Sequence, residues 1–159
     1  METNMAAEHH AQRLIRAGAI LLPAGLLVGI AIPHFAVPRL ALSAHVLALM
    51  QATLLMVLGL LWQKLRLTLG QSRLSSGLAI YGFYGAWLAT LLAGLWGAGN
   101  SMLPMSAGGA RGSVSQELVI RVLLMSAALS QIAVAAMVLW GLRGNPVQND
   151  EKSRLSPEP

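Results

Sequence analysis

The sequence predicts an all-α integral membrane protein, a bundle of four transmembrane helices. Hydrophobic residues make up 55% of the 159 residues and charged residues only 11%, whereas an ordinary soluble domain has about 25% charged residues. Four apolar stretches each reach the ~20 residues that a helix needs to cross the hydrocarbon layer. They do not alternate apolar and polar residues as the strands of a membrane barrel do. Helices are therefore expected to satisfy the backbone groups in lipid.

One transmembrane domain is expected over residues 14–142, with helices at about 14–35, 40–62, 74–98 and 118–142. Residues 1–13 are predicted to be a polar, frayed cytoplasmic segment. Residues 143–159 have the composition of a disordered segment and are predicted to be a cytoplasmic tail. The first span is too long to be a removed signal peptide, and it lacks a convincing small-residue cleavage site.

The first predicted helix contains Gly25 and Gly29, whose spacing allows a neighbouring helix to approach closely. Pro23 lies inside this helix. His9 and His10 precede it as possible metal ligands, although solvated terminal residues are the more expected interpretation.

The second predicted helix carries two polar groups, His45 and Gln51, inside the apolar stretch "SAHVLALMQATLLMVLGLLW". An unpaired polar group costs several kcal/mol in such surroundings, so each needs a partner, a ligand or a water-filled cavity. Gln51 lies about 120° around the helix from His45 and about 9 Å along it. The two side chains therefore do not serve one ligand from one helical face, but they suit two ligand copies if this helix lies at a subunit interface.

His45 is either a structural histidine bonded to a tyrosine of the third helix, or a ligand to a metal or cofactor. The chain has no cysteine, and a lone histidine without further ligands does not build a zinc site. A single histidine does suffice for a haem, because the porphyrin supplies four nitrogens. His34 follows Pro33 at the membrane interface and is predicted to be a loop residue.

The third predicted helix carries Tyr81 and Tyr84, which share a helical face. They form either part of an aromatic belt at the membrane surface or, more so for Tyr84 and the deeper Trp87, the wall of an inward pocket. The Gly- and Ser-rich loop at 97–116 is long for so compact a protein, so it is either functional or disordered. Further polar groups occupy the fourth predicted helix: Arg121, Ser126, Ser130 and Gln131.

The charges predict topology rather than nucleic-acid binding. With four spans, both termini and the middle loop share one side, which carries eight Lys and Arg residues near the spans and in the tail against three on the other. The positive-inside rule then places both termini in the cytoplasm. No acidic residue lies between Glu8 and Glu117, which argues against paired-carboxylate catalysis, carboxylate-bound metals and proton pumping.

Two blocks, the stretch from Ser43 to Trp62 and "YGFYGAWLATLLAGLWGAGNSMLPMSAGG", resemble bacterial hydroxylaminobenzene mutases over roughly residues 14–142 and, more distantly, styrene oxide isomerase. The resemblance implies a trimer with a ferric haem b between subunits. It also implies an axial histidine on the second helix, which His45 matches, and an amide six residues later, where Gln51 replaces asparagine. The catalytic tyrosine of the third helix corresponds to either Tyr81 or Tyr84. The candidate cofactor-binding residues are His45, Arg39 and Arg111.

The implied activity is a redox-neutral isomerisation of a small aromatic substrate, hydroxylaminobenzene to 2-aminophenol, by a Bamberger-type hydroxyl shift with the ferric haem as Lewis acid. Such a reaction belongs to nitroaromatic degradation. Three alternatives stay open: a haem-dependent epoxide isomerase, a membrane cytochrome b, and a small transporter or structural subunit without cofactor. A cytochrome b usually needs two axial histidines, and only His45 is deep in a span.

Overall fold

The part of the chain that the structure describes forms four long helices and one short one. The structure is a computed structural model and describes residues 2–143, with side chains described from residue 7 onward. Within that range the helices are α1 (Glu2–Ala31), α2 (Pro38–Leu61), α3 (Leu69–Trp96), the one-turn α4 (Pro104–Ala107) and α5 (Val114–Leu142). Turns of 3-10 helix at Ile32–His34 and Trp62–Lys64 follow α1 and α2. These residues contain no strand, so the all-α prediction is confirmed.

Helices α1, α2, α3 and α5 are each long and apolar enough to cross a membrane. Their most apolar windows have mean hydropathies from 1.6 to 2.2. The chain is a multi-pass membrane protein, as its composition predicts.

Two helices begin earlier than the apolar pattern predicts, because polar capping residues start them. α3 begins after Thr68, whose side chain accepts a hydrogen bond from the backbone of Gln71, while the Gln71 side chain accepts from the backbone N–H of Thr68. Ser113 and Gln116 form the same capping box before α5. A Ser or Thr followed three residues later by Gln is a recognisable helix start, so hydropathy alone misplaced these boundaries.

The N-terminal segment differs from the prediction, because residues 2–13 continue α1 rather than fray. His10, expected to be solvated, is only 8% exposed. Its Nδ1 atom lies 3.0 Å from the Oγ atom of Ser76 on α3. The hydroxyl of Ser76 on a facing helix thus provides the hydrogen-bond partner of the buried His10 ring. The local sequence around His10 indicates only a polar residue. The predicted tail falls, apart from Arg143, on residues 144–159, outside the described residues.

Glycines let α1 and α2 pack closely. A Cβ atom built on Gly25 would lie 2.6 Å from the Cβ of Ala48, and one on Gly18 would lie 2.6 Å from the carbonyl oxygen of Ala52. Gly59 of α2 meets α1 in the same way. Close packing through small residues is a main source of helix association in lipid, as the Gly25 and Gly29 spacing predicts.

Helix α3 lies between the α1–α2 pair and α5. The Oγ atom of Ser130 on α5 donates to the carbonyl oxygen of Leu78, and the Gln131 amide donates to the carbonyl oxygen of Gly82. Large apolar side chains on the rest of α5 are exposed, among them Leu129 at 68% and Ile132 at 66%. Such surfaces contact lipid or another protein in a membrane.

Glu117 organises the loop between α3 and α5. Its carboxylate accepts hydrogen bonds from the backbone N–H groups of Gly99, Asn100, Ser101 and Gly112, and from the Ser101 hydroxyl. The loop, which the sequence left as either functional or disordered, therefore has a fixed conformation.

Candidate functional site

His45 is held by the backbone of the neighbouring helix. Its Nδ1 atom lies 2.7 Å from the carbonyl oxygen of Gly25. A carbonyl oxygen only accepts hydrogen bonds, so Nδ1 carries the proton and a neutral imidazole has its free lone pair on Nε2. Metal-binding histidines are commonly oriented by such a bond. The alternative in which a tyrosine of α3 bonds His45 is wrong, because the partner is a backbone carbonyl of α1.

Gly29 provides the space that the imidazole occupies. A Cβ atom at this position would lie 2.6 Å from Nδ1 and 2.8 Å from Cε1 of His45. Any side chain other than hydrogen would therefore displace the ring. Gly25 and Gly29 thus have different roles: the carbonyl oxygen of Gly25 bonds the His45 ring, and the missing side chain of Gly29 leaves room for that ring.

The surroundings of His45 are apolar and open to one side. His45 is half-buried, and nearby positions on α1 and α2 are exposed: Leu26 at 49%, Ile30 at 77%, Leu42 at 50% and Val46 at 46%. His45 lies seven residues into α2, about 10 Å from its first residue. A ligand on Nε2 would therefore meet apolar surface inside the membrane.

These features fit a haem better than a metal ion bound by protein alone. A haem needs one axial nitrogen and apolar surface against its faces, and the His45 region offers both. Among the described residues no three His, Asp or Glu side chains lie together to hold a metal ion. One chain offers apolar surface to only one face of a haem bound at His45.

Gln51 and Trp87 carry buried polar atoms without partners. Gln51 is 3% exposed. Its Oε1 atom and the Nε1 atom of Trp87 are buried and make no hydrogen bond. One atom is an acceptor and the other a donor, and each unsatisfied group costs about 1–3 kcal/mol. Such groups persist where they serve a bound molecule or water.

The packing of α2 against α3 relates these two positions to His45. Hydrogen bonds that join Val37 to Gly94 and Trp62 to Ser72 fix the antiparallel register. In that register Trp87 is level with the turn of α2 that carries His45, and Gln51 lies about 9 Å further along α2. Trp87 also packs against the core cluster that contains Ala48 and Ala52, which flank Gln51 on α2.

The two tyrosines point to different helices. The Tyr81 hydroxyl lies 2.6 Å from the Ser126 hydroxyl on α5, and Tyr81 is 46% exposed. The Tyr84 hydroxyl donates to the carbonyl oxygen of Ala17 on α1 at 2.8 Å. Ala17 precedes Gly25 by eight residues, about 12 Å along α1. The two tyrosines, predicted to share a helical face, therefore bond to different helices. Neither hydroxyl reaches the Gly25 carbonyl that holds His45.

Arg39 and Arg111 lie at the same end of the bundle as His45, and both are exposed. Arg39 is in the first turn of α2, where its carbonyl oxygen accepts from the Ser43 hydroxyl. Arg111 lines an open cavity of about 490 Å³ together with Arg121 and Asn100. Neither His45 nor Gln51 lines this cavity.

The structure thus brings His45 together with Gly25 and Gly29, and it buries Gln51 and the indole nitrogen of Trp87 at nearby levels. Tyr84 contacts Trp87 edge to face, with the ring centroids 6.3 Å apart. Tyr81, Arg39 and Arg111 are not joined to this group within one chain. Sequence reasoning missed Glu117 as the anchor of the loop, although it is the only acidic residue between positions 9 and 149.

Comparison with known proteins gives concordant matches. The family model described as styrene oxide isomerase matches residues 10–143. The hydroxylaminobenzene mutase HabB of Ectopseudomonas oleovorans is 43% identical over 150 residues, which cover 94% of this chain and 92% of that protein. The hydroxylaminobenzene mutase HabA of the same organism is 34% identical over 129 residues, 81% of this chain and 96% of that protein. No solved structure matches.

Proposed function

This chain belongs to the styrene oxide isomerase family and is an isomerase, and we propose that it converts hydroxylaminobenzene to 2-aminophenol with a ferric haem b bound through His45. The substrate is that named in two relatives, one of them 43% identical over nearly the whole chain. The proposal of a haem is supported by the residues around His45.

The observation that carries the proposal is the orientation of His45. Its Nδ1–H donates a hydrogen bond to the Gly25 carbonyl oxygen at 2.7 Å, so Nε2 would be the atom that binds the haem iron. The exposed apolar side chains beside it suit the face of a porphyrin. Arg39 and Arg111 are candidate binding residues for the haem at the same end of the bundle.

The reaction moves a hydroxyl group within one molecule. The N–O bond breaks, a C–O bond forms at the ortho carbon, and that carbon loses its proton while the nitrogen gains one. No electron leaves or enters, so no oxidant or reductant is consumed. His45 would hold a ferric haem, which would supply a Lewis-acid iron.

The polar atoms of the α2–α3 core supply orientation. The Oε1 atom of Gln51 accepts a hydrogen bond from the substrate N–H or O–H, and the Nε1–H of Trp87 donates one to the departing oxygen. Apolar neighbours exclude bulk water, which would otherwise compete with the hydroxyl for the ring. Tyr81 and Tyr84 are further candidate donors, provided that they release Ser126 and Ala17.

A closed homo-oligomer completes this site. One chain covers His45 on one side only, and a neighbouring subunit would cover the other. Gln51 is turned about 120° away from His45 on α2 and is only 3% exposed in its own chain, so it meets a neighbour's haem only if the surface over it opens on assembly. We infer a trimer with sites between subunits, in agreement with the resemblance and with the exposed apolar faces. The chain lies in a bacterial inner membrane with both termini in the cytoplasm, which the distribution of Lys and Arg supports.

A product assay under anaerobic conditions tests the proposed reaction. Purified protein should convert hydroxylaminobenzene to 2-aminophenol without NAD(P)H, and dithionite should slow it because ferrous iron is the weaker Lewis acid. A strict requirement for an electron donor would refute the proposal.

An epoxide isomerase is the second candidate, favoured by the family match over residues 10–143. The same preparation should then be offered styrene oxide. A higher kcat/KM for the epoxide than for hydroxylaminobenzene would establish this alternative in place of the mutase.

A further inference from the structure

A groove of about 460 Å³ separates α1 from α3 at the end of the bundle that carries the N-terminus. It lies apart from His45 and Gln51, neither of which lines it. Its lining changes along its length from basic and polar to apolar: His9, Gln12, Arg13, Arg16, Ala17, Ile20, Ile80 and Tyr84.

The rim of the groove is cationic. Arg13 and Arg16 are exposed and three residues apart, so they project from one side of α1. No acidic residue lies between Glu8 and Glu117, and Glu117 is bonded to the loop at the opposite end of the bundle. An anion at this rim therefore has little competition from the spans.

The deeper part of the groove is apolar. Ile20 is 64% exposed, four residues along α1 from Arg16, and Ile80 faces the groove from α3. Tyr84 offers its ring rather than its hydroxyl, because that hydroxyl donates to the Ala17 carbonyl. A small soluble anion would leave this apolar half unused.

We propose that this groove binds one anionic phospholipid per subunit, with the phosphate at Arg13 and Arg16 and an acyl chain along Ile20 and Ile80. The order of charge and apolar surface matches the order of headgroup and chain in a lipid. Basic residues at a membrane surface favour anionic lipids, and the Lys and Arg distribution places this end toward the anionic cytoplasmic leaflet. The inference does not depend on the haem, and it uses the ring of Tyr84 rather than the hydroxyl that the proposed function names.

Native mass spectrometry of the full-length, cofactor-loaded protein in detergent tests the proposal, with phosphatidylglycerol and phosphatidylcholine as probes. The wild type should retain one phosphatidylglycerol per subunit in preference to phosphatidylcholine. Arg13→Gln combined with Arg16→Gln should weaken phosphatidylglycerol binding about 25-fold, since each basic side chain contributes roughly a fivefold preference. Lys64→Gln combined with Arg66→Gln is the matched control: it removes the same charge at the same end, outside the groove, and should leave the preference intact.

Two further arms separate lipid from other anions. Ile80→Asn should reduce binding while the rim keeps its charge, and inorganic phosphate at millimolar concentration should not displace the lipid. Equal retention of both lipids, an equal loss in the Lys64 and Arg66 control, or displacement by inorganic phosphate would each overturn the proposal. Circular dichroism confirms that every variant remains folded before it is compared.

Discussion

The Nδ1 atom of His45 on α2 lies 2.7 Å from the backbone carbonyl oxygen of Gly25 on α1. This contact fixes the ring and its tautomer before any ligand binds, and it leaves Nε2 as the free nitrogen. A backbone acceptor is well suited to this task, because it cannot change its protonation state.

Gly29→Ala should weaken haem binding about 10-fold or more, the usual effect of disturbing the partners of a metal-binding histidine. The added Cβ would lie 2.6 Å from Nδ1, so the ring must move away from the Gly25 carbonyl. The measurement is the haem content of purified protein during dilution or competition with apomyoglobin.

Gly77→Ala is the control for Gly29→Ala, since a Cβ on Gly77 of α3 meets nothing within 4 Å. It should retain haem as the wild type does. If Gly29→Ala retains haem equally well, the packing around the imidazole does not control the site.

The sequence predicts the fold well because hydropathy fixes transmembrane segments directly. Four apolar stretches give four spans, and the absence of alternation excludes strands. The starts of α3 and α5 depend instead on local capping by Thr68 and Ser113, which a hydropathy window does not register. The burial of His10 depends on Ser76, 66 positions away, and no local pattern contains that information.

Gln51→Leu and Trp87→Phe should separate activity from stability. Gln51→Leu replaces a buried polar atom without a partner by an apolar side chain of similar size, so its stability should stay equal or rise. Trp87→Phe also removes ring volume from packing against the core cluster, so it should lose some stability. Activity should fall about 100-fold if the lost group serves the transition state. Thermal unfolding and kcat/KM, measured on the same preparations, check both halves.

Thr90→Val is the control for this pair, because the Thr90 hydroxyl on α3 is already bonded to the Ala86 carbonyl at 2.9 Å. It should leave activity near that of the wild type. A large loss of stability with unchanged activity in Gln51→Leu would assign Gln51 a structural role.

Glu117→Gln should loosen the loop between α3 and α5. The carboxylate accepts five hydrogen bonds there, and an amide provides only one acceptor oxygen. The expected cost is on the order of 2 kcal/mol. Limited digestion with trypsin measures it, since the exposed Arg111 lies inside this loop and should be cleaved faster. Glu8→Gln, at an exposed position on α1, is the control: trypsin should cleave it at Arg111 as fast as it cleaves the wild type.

Mixed oligomers test whether subunits share a site. His45→Ala and Gln51→Ala chains should each be severely impaired alone, and co-expression should restore part of the activity, because some interfaces then carry both intact residues. Differently tagged chains and two-step purification verify that mixed oligomers form. Activity no higher than that of either mutant in verified mixed oligomers would place both residues in one chain's site.

The candidate site is only partly predictable from sequence. Burial cost alone singles out His45 and Gln51, but the partner of His45 is a backbone atom, which no side-chain pattern reveals. The hydroxyls of Tyr81 and Tyr84 diverge because a three-residue spacing leaves a 60° offset, enough for one to reach α5 and the other α1. Glu117 acts on residues up to 18 positions away, so its role appears only once the loop is closed.

The absorption spectrum of detergent-purified protein, wild type against His45→Ala, tests the central claim that His45 holds a ferric haem. The wild type should show a Soret band, and His45→Ala should lose it while the protein is still recovered from the membrane in normal yield. Exogenous imidazole should restore part of the band by occupying the vacated position. A wild type without a Soret band, or a His45→Ala variant that keeps it in full, would contradict the account.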